Sequence, residues 1–175
     1  MRVFISLKLG VCRTFQPARS AAASTLAGTC KRNVLAPWLI ALAFALTAQQ
    51  GYACTLNVTG VNFGSYDVFS NTALDSTGNI DVNCPNGVGY SMALTAGGGT
   101  HTQRVMGSGT DTLNYNLYTA ANRAVIWGDA TSGTVTVNGT GIGVNVNHVV
   151  YGRIPALQNV HAGSYSDIII VELTF

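Results

Sequence analysis

Charge is what this sequence has least of. Only 9% of its 175 residues are Asp, Glu, Lys or Arg, against about 25% in an ordinary soluble protein. No lysine follows Lys31 and no acid precedes Asp67. Residues 1–53 hold six bases (Arg2, Lys8, Arg13, Arg19, Lys31, Arg32), whereas 54–175 hold three arginines and seven acids, 3 − 7 = −4. So few scattered cations exclude a nucleic-acid binder driven by counterion release. Histidine is also scarce: His101, His148 and His161 lie far apart, none at the i, i+4 spacing of a metal site. There is no Gly-x-Ser-x-Gly elbow to activate Ser108 or Ser164. Gly97-Gly98-Gly99 is followed by no Gly-Lys-Ser/Thr, which excludes a phosphate cradle. Asp75-Ser76-Thr77-Gly78 has one residue too many between Asp and Gly for an aspartic-protease loop, and no second copy; it reads as a turn. Neither an enzyme nor a small-molecule cofactor is expected.

What the N-terminal part does have is an uninterrupted apolar run from Val34 to Ala48, preceded by Lys31-Arg32 and followed by Gly51-Tyr52-Ala53. Basic residues, an apolar stretch and a small–x–small site describe a secretory signal peptide. At ~1.5 Å per residue the run reaches about 22 Å, short of a ~30 Å hydrocarbon core, which argues against a lasting anchor. Residues 1–53 are therefore read as a leader, with cleavage after Ala53 or Ala48, and 54–175 as an exported domain. The segment before Lys31 is long for a leader's basic region and reads as having no periodic pattern. Gly51, three residues before Cys54, disfavours a lipoprotein site. Beyond the leader, Cys54 and Cys84 remain; an even pair in a secreted chain reads as one disulfide, with two free buried thiols as the alternative.

Residues 54–175 alternate. Leu56, Val58, Val61 and Phe63 shift phase near Gly60; Ile80, Val82 and Cys84 alternate, as do Tyr90, Met92 and Leu94, then Leu113, Tyr115 and Leu117. Val135 and Val137 follow, then Val144, Val146, His148 and Val150; at the end Tyr165, Asp167, Ile169, Val171, Leu173 and Phe175 share a face. A period of two between Gly-, Asn-, Ser- and Asp-rich turns predicts seven or so half-buried strands and an all-β, two-sheet sandwich. Between Ile168 and Phe175 the last strand carries only Glu172 to blunt its edge. Either another polypeptide adds a strand there, or the strand is central and covered on both sides. Trp127 with Tyr118 reads as core or, alternatively, as a sugar-binding platform. Arg153 is a candidate ion-pair partner of Asp167 or Asp129. The sequons at Asn57 and Asn138 are read as carrying no modification.

Asn62-Phe63-Gly64-Ser65-Tyr66-Asp67, followed by Gly78-Asn79-Ile80-Asp81-Val82-Asn83-Cys84, resembles the opening of the spore coat protein U domain family. Asp111-Thr112-Leu113-Asn114-Tyr115-Asn116-Leu117-Tyr118 and Val125-Ile126-Trp127-Gly128-Asp129 resemble its middle. Tyr151-Gly152-Arg153-Ile154-Pro155-Ala156, Gln158-Asn159-Val160 and Ala162-Gly163-Ser164-Tyr165-Ser166-Asp167 resemble its end. The resemblance implies an immunoglobulin-like β-sandwich that lacks its final strand, as in subunits of archaic chaperone–usher pili and some spore coats. It implies a periplasmic chaperone, an outer-membrane usher and other pilin subunits as partners, with passage through the periplasm to the cell surface. It implies a donor-strand groove between the first and last strands, here Leu56, Val58, Val61 and Phe63 with Ile169, Val171, Leu173 and Phe175. Such pilins carry a donor stretch before the first cysteine; Gln49 to Ala53 has little apolar alternation and at ~3.3 Å per residue spans about 17 Å. The expectation is a subunit that accepts a strand without donating one, suited to a tip position or a coat. A secreted adhesin or glycan-binding module, using loops around Gly97–Gly109 or Trp127–Gly133, is the alternative.

Overall fold

The computed structural model describes residues 2–9 and 53–175, and among them every regular element is a strand. In chain order these are β1 (Arg2–Leu9), β2 (Thr55–Thr59), β3 (Val61–Gly64), β4 (Leu74–Asn83), β5 (Gly89–Leu94), β6 (Arg104–Ser108), β7 (Asp111–Tyr118), β8 (Val137–Thr140), β9 (Val146–Ile154) and β10 (Ser164–Thr174). The apolar run 34–48, Gly51-Tyr52 of the expected cleavage site, Cys12 and Cys30 lie outside the described residues.

The strands form one continuous hydrogen-bonded path, β2-β4-β9-β7-β6-β10-β1-β3, with β5 joining β10 to β8. The path changes ladder inside β7. Its first half pairs with β6 up to Tyr115 opposite Arg104, and its second half pairs with β9 from Asn116 opposite Arg153. Strict alternation breaks at that point, since Tyr115, Asn116 and Leu117 are all buried in succession. The first strand changes ladder too. β2 pairs with β4, whereas β3, one residue further on, pairs with β1. The phase shift read at Gly60 is this crossing.

Period-two faces supply a single core. Ile80, Val82, Met92, Leu94, Leu113, Leu117, Val150, Ile169, Val171 and Leu173 are completely shielded, and they come from both ladders. Trp127 belongs to the core, its indole N–H donating to the Met92 carbonyl at 3.1 Å. At one end, Cys54 and Cys84 form a disulfide that ties the start of β2 to the residue after β4.

Several expectations need correcting. Asp75–Gly78 is no turn: it lies inside β4, paired in register with Gly152–Arg153 and their neighbours of β9. A polar stretch holds as a strand here because Asp75 is neutralised across the ladder by Arg153 and Ser76 donates to the Asn62 carbonyl at 2.6 Å. Val144 is exposed in the turn before β9, which starts at Val146. The strand Arg104–Ser108 was not legible, because its inward face carries an arginine where alternation looks for an apolar residue. The largest departure is β1. Residues 2–9, inside the segment read as a patternless leader, form a strand with Val3, Ile5 and Leu7 buried.

Candidate functional site

The last strand has neighbours on both sides. On one side β6 pairs at Ser166, β5 pairs from Val171 to Thr174, and Thr95 bridges the gap, its N–H donating to the Ile170 carbonyl at 3.1 Å. On the other side lies β1, parallel to β10 over eight residues, from Arg2 opposite Ser164 to Leu9 opposite Val171. The far edge of β1 pairs antiparallel with β3, Phe4 opposite Asn62 and Ile5 opposite Val61. One strand therefore occupies a slot whose walls are β10 and β3. Residues 10–52 separate that strand in sequence from the domain it completes.

The strand β1 is seated by the fit of its inward face. Val3, Ile5 and Leu7 point into the core at 1%, 2% and 7% exposure, whereas Phe4 stays about half exposed and Lys8 faces out. Burying three such side chains gives on the order of 5–9 kcal/mol before ordering costs. Gly60 shapes one wall: a Cβ there would strike the Ile5 carbonyl oxygen, so only glycine lets the inserted backbone approach this closely. A cleft of about 410 Å³ runs beside the strand, lined by Phe4–Leu7 with Val58 and Gly60–Asn62.

The residues read as groove lining fall into three sets. Val61 and Phe63 on β3, with Ile169 and Val171 on β10, lie on the two strands that flank β1, and all four are buried. Val58 borders the cleft from β2, while Leu56, half-buried, is paired with Val82 in the other ladder. Leu173 is opposite Met92 of β5, past the end of β1, and Phe175 packs partly buried against the core beyond the last strand. The segment that the reading missed is Val3-Phe4-Ile5-Ser6-Leu7. Its alternation was present in the sequence and hidden by the assumption that everything before the apolar run was leader.

Around the slot, polar groups hold β10 and the loops in place. Asp167, opposite Ile5 in register, accepts from the Tyr115 hydroxyl at 2.6 Å and from the Gly98 N–H at 3.1 Å. Burial, then that bond to Asp167, pushes the Tyr115 phenol far above its ordinary range. Arg104, completely buried, donates to the carbonyls of Thr95 and Trp127 at 2.9 and 2.8 Å and to Asn116 Oδ1 at 2.7 Å. Burial lowers its affinity for the proton, opposed by the nearby Tyr115 and Asp167.

Arg153 forks onto Asp75 at 2.7 and 2.8 Å, and Arg123 adds a second cation at 3.1 Å. The hydrogen bond from Arg153 holds the Asp75 carboxyl below its usual range. Asp75, rather than Asp167 or Asp129, is thus the partner of Arg153. The platform of Trp127 and Tyr118 is not formed, because Trp127 is buried at 1% exposure. Among the described residues no three His, Cys, Asp or Glu side chains are grouped to hold a metal ion.

Comparison with known proteins adds the following. The Spore Coat Protein U domain model matches residues 40–172. The chain is 34% identical to Protein U of Myxococcus xanthus, over 73% of this chain and 80% of that protein. In structure it is similar to the pre-assembly complex of the chaperone CsuC with the tip adhesion subunit CsuE, from archaic chaperone–usher Csu pili of Acinetobacter baumannii. The TM-score is 0.51 at 18% identity, covering 71% of this chain and 40% of that one. The likeness is one of fold, and the chain spans about 40% of the solved chain's length.

Proposed function

From a chain that belongs to the spore coat protein U domain family, we propose an exported structural subunit of a surface pilus or coat, completed by a strand inserted between β3 and β10. The observation that carries this reading is the slot itself. The domain 53–175 leaves two strand edges facing one gap, and what fills the gap is a segment remote in sequence. Without an occupant, Val61, Phe63, Ile169 and Val171 would face an open groove beside unpaired backbone on both walls. Such edges are templates for strand addition, in which main-chain hydrogen bonds supply affinity and alternate side chains supply register.

In this reading the leader is removed on export and the groove is then covered by a periplasmic chaperone's strand. An outer-membrane usher and other subunits follow in assembly. Gln49 to Ala53 has little apolar alternation and at ~3.3 Å per residue spans only about 17 Å, so the processed chain accepts a strand without supplying one, which suits a pilus tip or a coat. The work is structural: it joins chains through backbone pairing and buried side chains, with no bond made or broken.

The test is purification of the processed chain from periplasm with and without the cognate chaperone. The expected result is a stoichiometric complex with it, and aggregation without it. A processed chain that is monomeric and resists unfolding alone would overturn the reading.

A further inference from the structure

We infer that copies of this chain stack end to end, Phe69 and Leu157 of one copy against Ile142 and Val144 of the next, by a contact that exchanges no strand. This rests on the structural-subunit reading above and adds a surface through which copies meet.

The four most exposed large apolar side chains among the described residues are Phe69 at 88%, Leu157 at 63%, Ile142 at 59% and Val144 at 57%. They fall in two pairs at opposite ends of the β4–β9 ladder. Leu74 opposite Ile154 closes one end and Val82 opposite Val146 the other, about 26 Å away at ~3.3 Å per residue. Phe69 lies in the connection before Leu74, and Leu157 in the one after Ile154. Ile142 and Val144 lie in the turn before Val146, where the Gly143 N–H donates to the carbonyl of the disulfide-bonded Cys84 at 3.1 Å.

Both pairs are presented by fixed backbone. At the first end the Tyr66 hydroxyl donates to the Pro155 carbonyl and accepts from the Gln158 N–H, each at 2.9 Å, which ties the two connections together. Leu157 has φ 57°, uncommon for a residue with a side chain. At the second end the Gly141 N–H donates to the Val88 carbonyl at 2.8 Å, and its carbonyl accepts from Gly87 at 2.9 Å. A Cβ at Gly141 would strike the Pro85 carbonyl, so glycine seats the turn while Ile142 and Val144 stay in water. Apolar side chains held outward on pre-ordered loops lose little freedom on docking.

Charge favours a second copy as the occupant. Residues 54–175 carry −4, so copies repel over most of their surface. The segments at the second end, 84–88 and 141–145, hold no charged residue. Those at the first, 65–73 and 155–163, hold only Asp67, counting histidine neutral. The ends are therefore where two copies approach at least cost, and each end offers the other a pair of apolar side chains. Because the ends differ, the contact is head-to-tail and propagates as an open chain instead of closing as a dimer. It is small, with a dissociation constant on the order of 0.1–1 mM between free copies. Copies held together in a coat meet at high effective concentration, and there the contact persists.

The experiment follows the mass of the processed chain by sedimentation up to about 2 mM, above that constant, in its chaperone complex or, if it forms none, by itself. Phe69→Asp with Leu157→Asp blocks one end, and Ile142→Asp with Val144→Asp blocks the other. All four positions are exposed, where substitutions leave stability nearly unchanged. The wild type should grow past two copies as concentration rises. Each blocked variant alone should stay single, needing at least about a tenfold higher concentration to associate. An equimolar mixture of the two should stop at a pair. If a double variant fails to fold, Phe69→Ser or Ile142→Ser takes its place.

A wild type that stays single throughout, or blocked variants that pair with themselves, would overturn the inference. So would a single-copy wild type retained on an octyl resin through these same residues, which would assign the ends to an apolar surface instead of a second copy. Failure to form the chaperone complex strikes the acceptor reading alone, since the stacking test then runs on the free chain.

Discussion

Arg104 is buried with carbonyl oxygens and one amide around it, and no carboxylate touches it. Its fork links the Thr95 and Trp127 carbonyls to Asn116, which is the point where β7 leaves one ladder for the other. Removing the fork strands those acceptors in the core, where each unpaired polar group costs about 1–3 kcal/mol. Arg104→Met should lower unfolding free energy by roughly 2–4 kcal/mol, read as a shift in denaturant midpoint at unchanged slope. Arg104→Lys should not rescue it, because an ammonium cannot reproduce the planar fork.

Two further residues make stability depend on pH in separate windows. His148 Nε2 lies 2.8 Å from the Tyr90 hydroxyl, and burial lowers the pKa of its ring. The fold therefore favours the neutral ring. Its contribution is complete above the unfolded pKa of about 6.5 and is lost as pH falls through the lower folded value. Melting temperature should decline between pH 7 and 5, and His148→Gln should flatten that decline. Asp75, held down by Arg153, contributes above the unfolded carboxylate value of about 3.9 and loses its contribution only as pH falls below that, through its own depressed pKa. Asp75→Asn should leave the first window intact and remove the second.

At the scale of elements, glycines inside strands mark where one layer must come close to another. Gly152 of β9 lies under β3: a Cβ there would sit 2.6 Å from Phe63 Cζ and 3.0 Å from Val61 Cγ1. Both are wall residues of the slot. Gly152→Ala should push β3 outward and cost about 1–3 kcal/mol, the usual scale for overpacking. Paired with Ile5→Asp in the full chain, its effect should be non-additive, since a Cβ at Gly152 would press on Val61, the residue opposite Ile5; a double-mutant cycle by thermal unfolding checks this. The disulfide is another element-scale device. It closes a loop of 30 residues between β2 and the end of β4, which is worth ~3–4 kcal/mol in the chain-entropy description. Cys54→Ser with Cys84→Ser should lower stability by about that amount in chemical denaturation.

For the whole molecule, the slot decides whether the domain is closed. With β1 in place, β10 is a central strand, and its inward Ile169, Val171 and Leu173 are fully shielded. Without an occupant the same strand becomes an edge, and the core opens along Val61 and Phe63. A chain processed at Ala53 should therefore bind a hydrophobic dye and self-associate. A strand peptide added in trans should suppress both, as followed by dye fluorescence and light scattering. Ile168 and Ile170 remain exposed on the outer face of β10 in either state, so the dye signal has to be read as a difference between the two.

Much of this was legible from the residues, and the reason is local. A period of two is written along each strand, so the inward faces of β4, β5, β7 and β10 could be read directly, together with the crossing at Gly60 and the pairing of Cys54 with Cys84 as the favoured alternative. Where a strand carries polar residues inward the pattern fails, as at Arg104, and where charge is neutralised by a distant partner it misleads, as at Asp75. The sequence reading put Val61, Phe63, Ile169 and Val171 on two strands, which flank β1 in the fold, but did not find β1 itself. Alternation shows that a strand has an edge needing hydrogen bonds, while backbone N–H and C=O groups are the same in every residue and name no partner. Which segment lies beside β10 was decided only by the tertiary arrangement, through the fit of Val3, Ile5 and Leu7 against walls that are assembled from opposite ends of the domain.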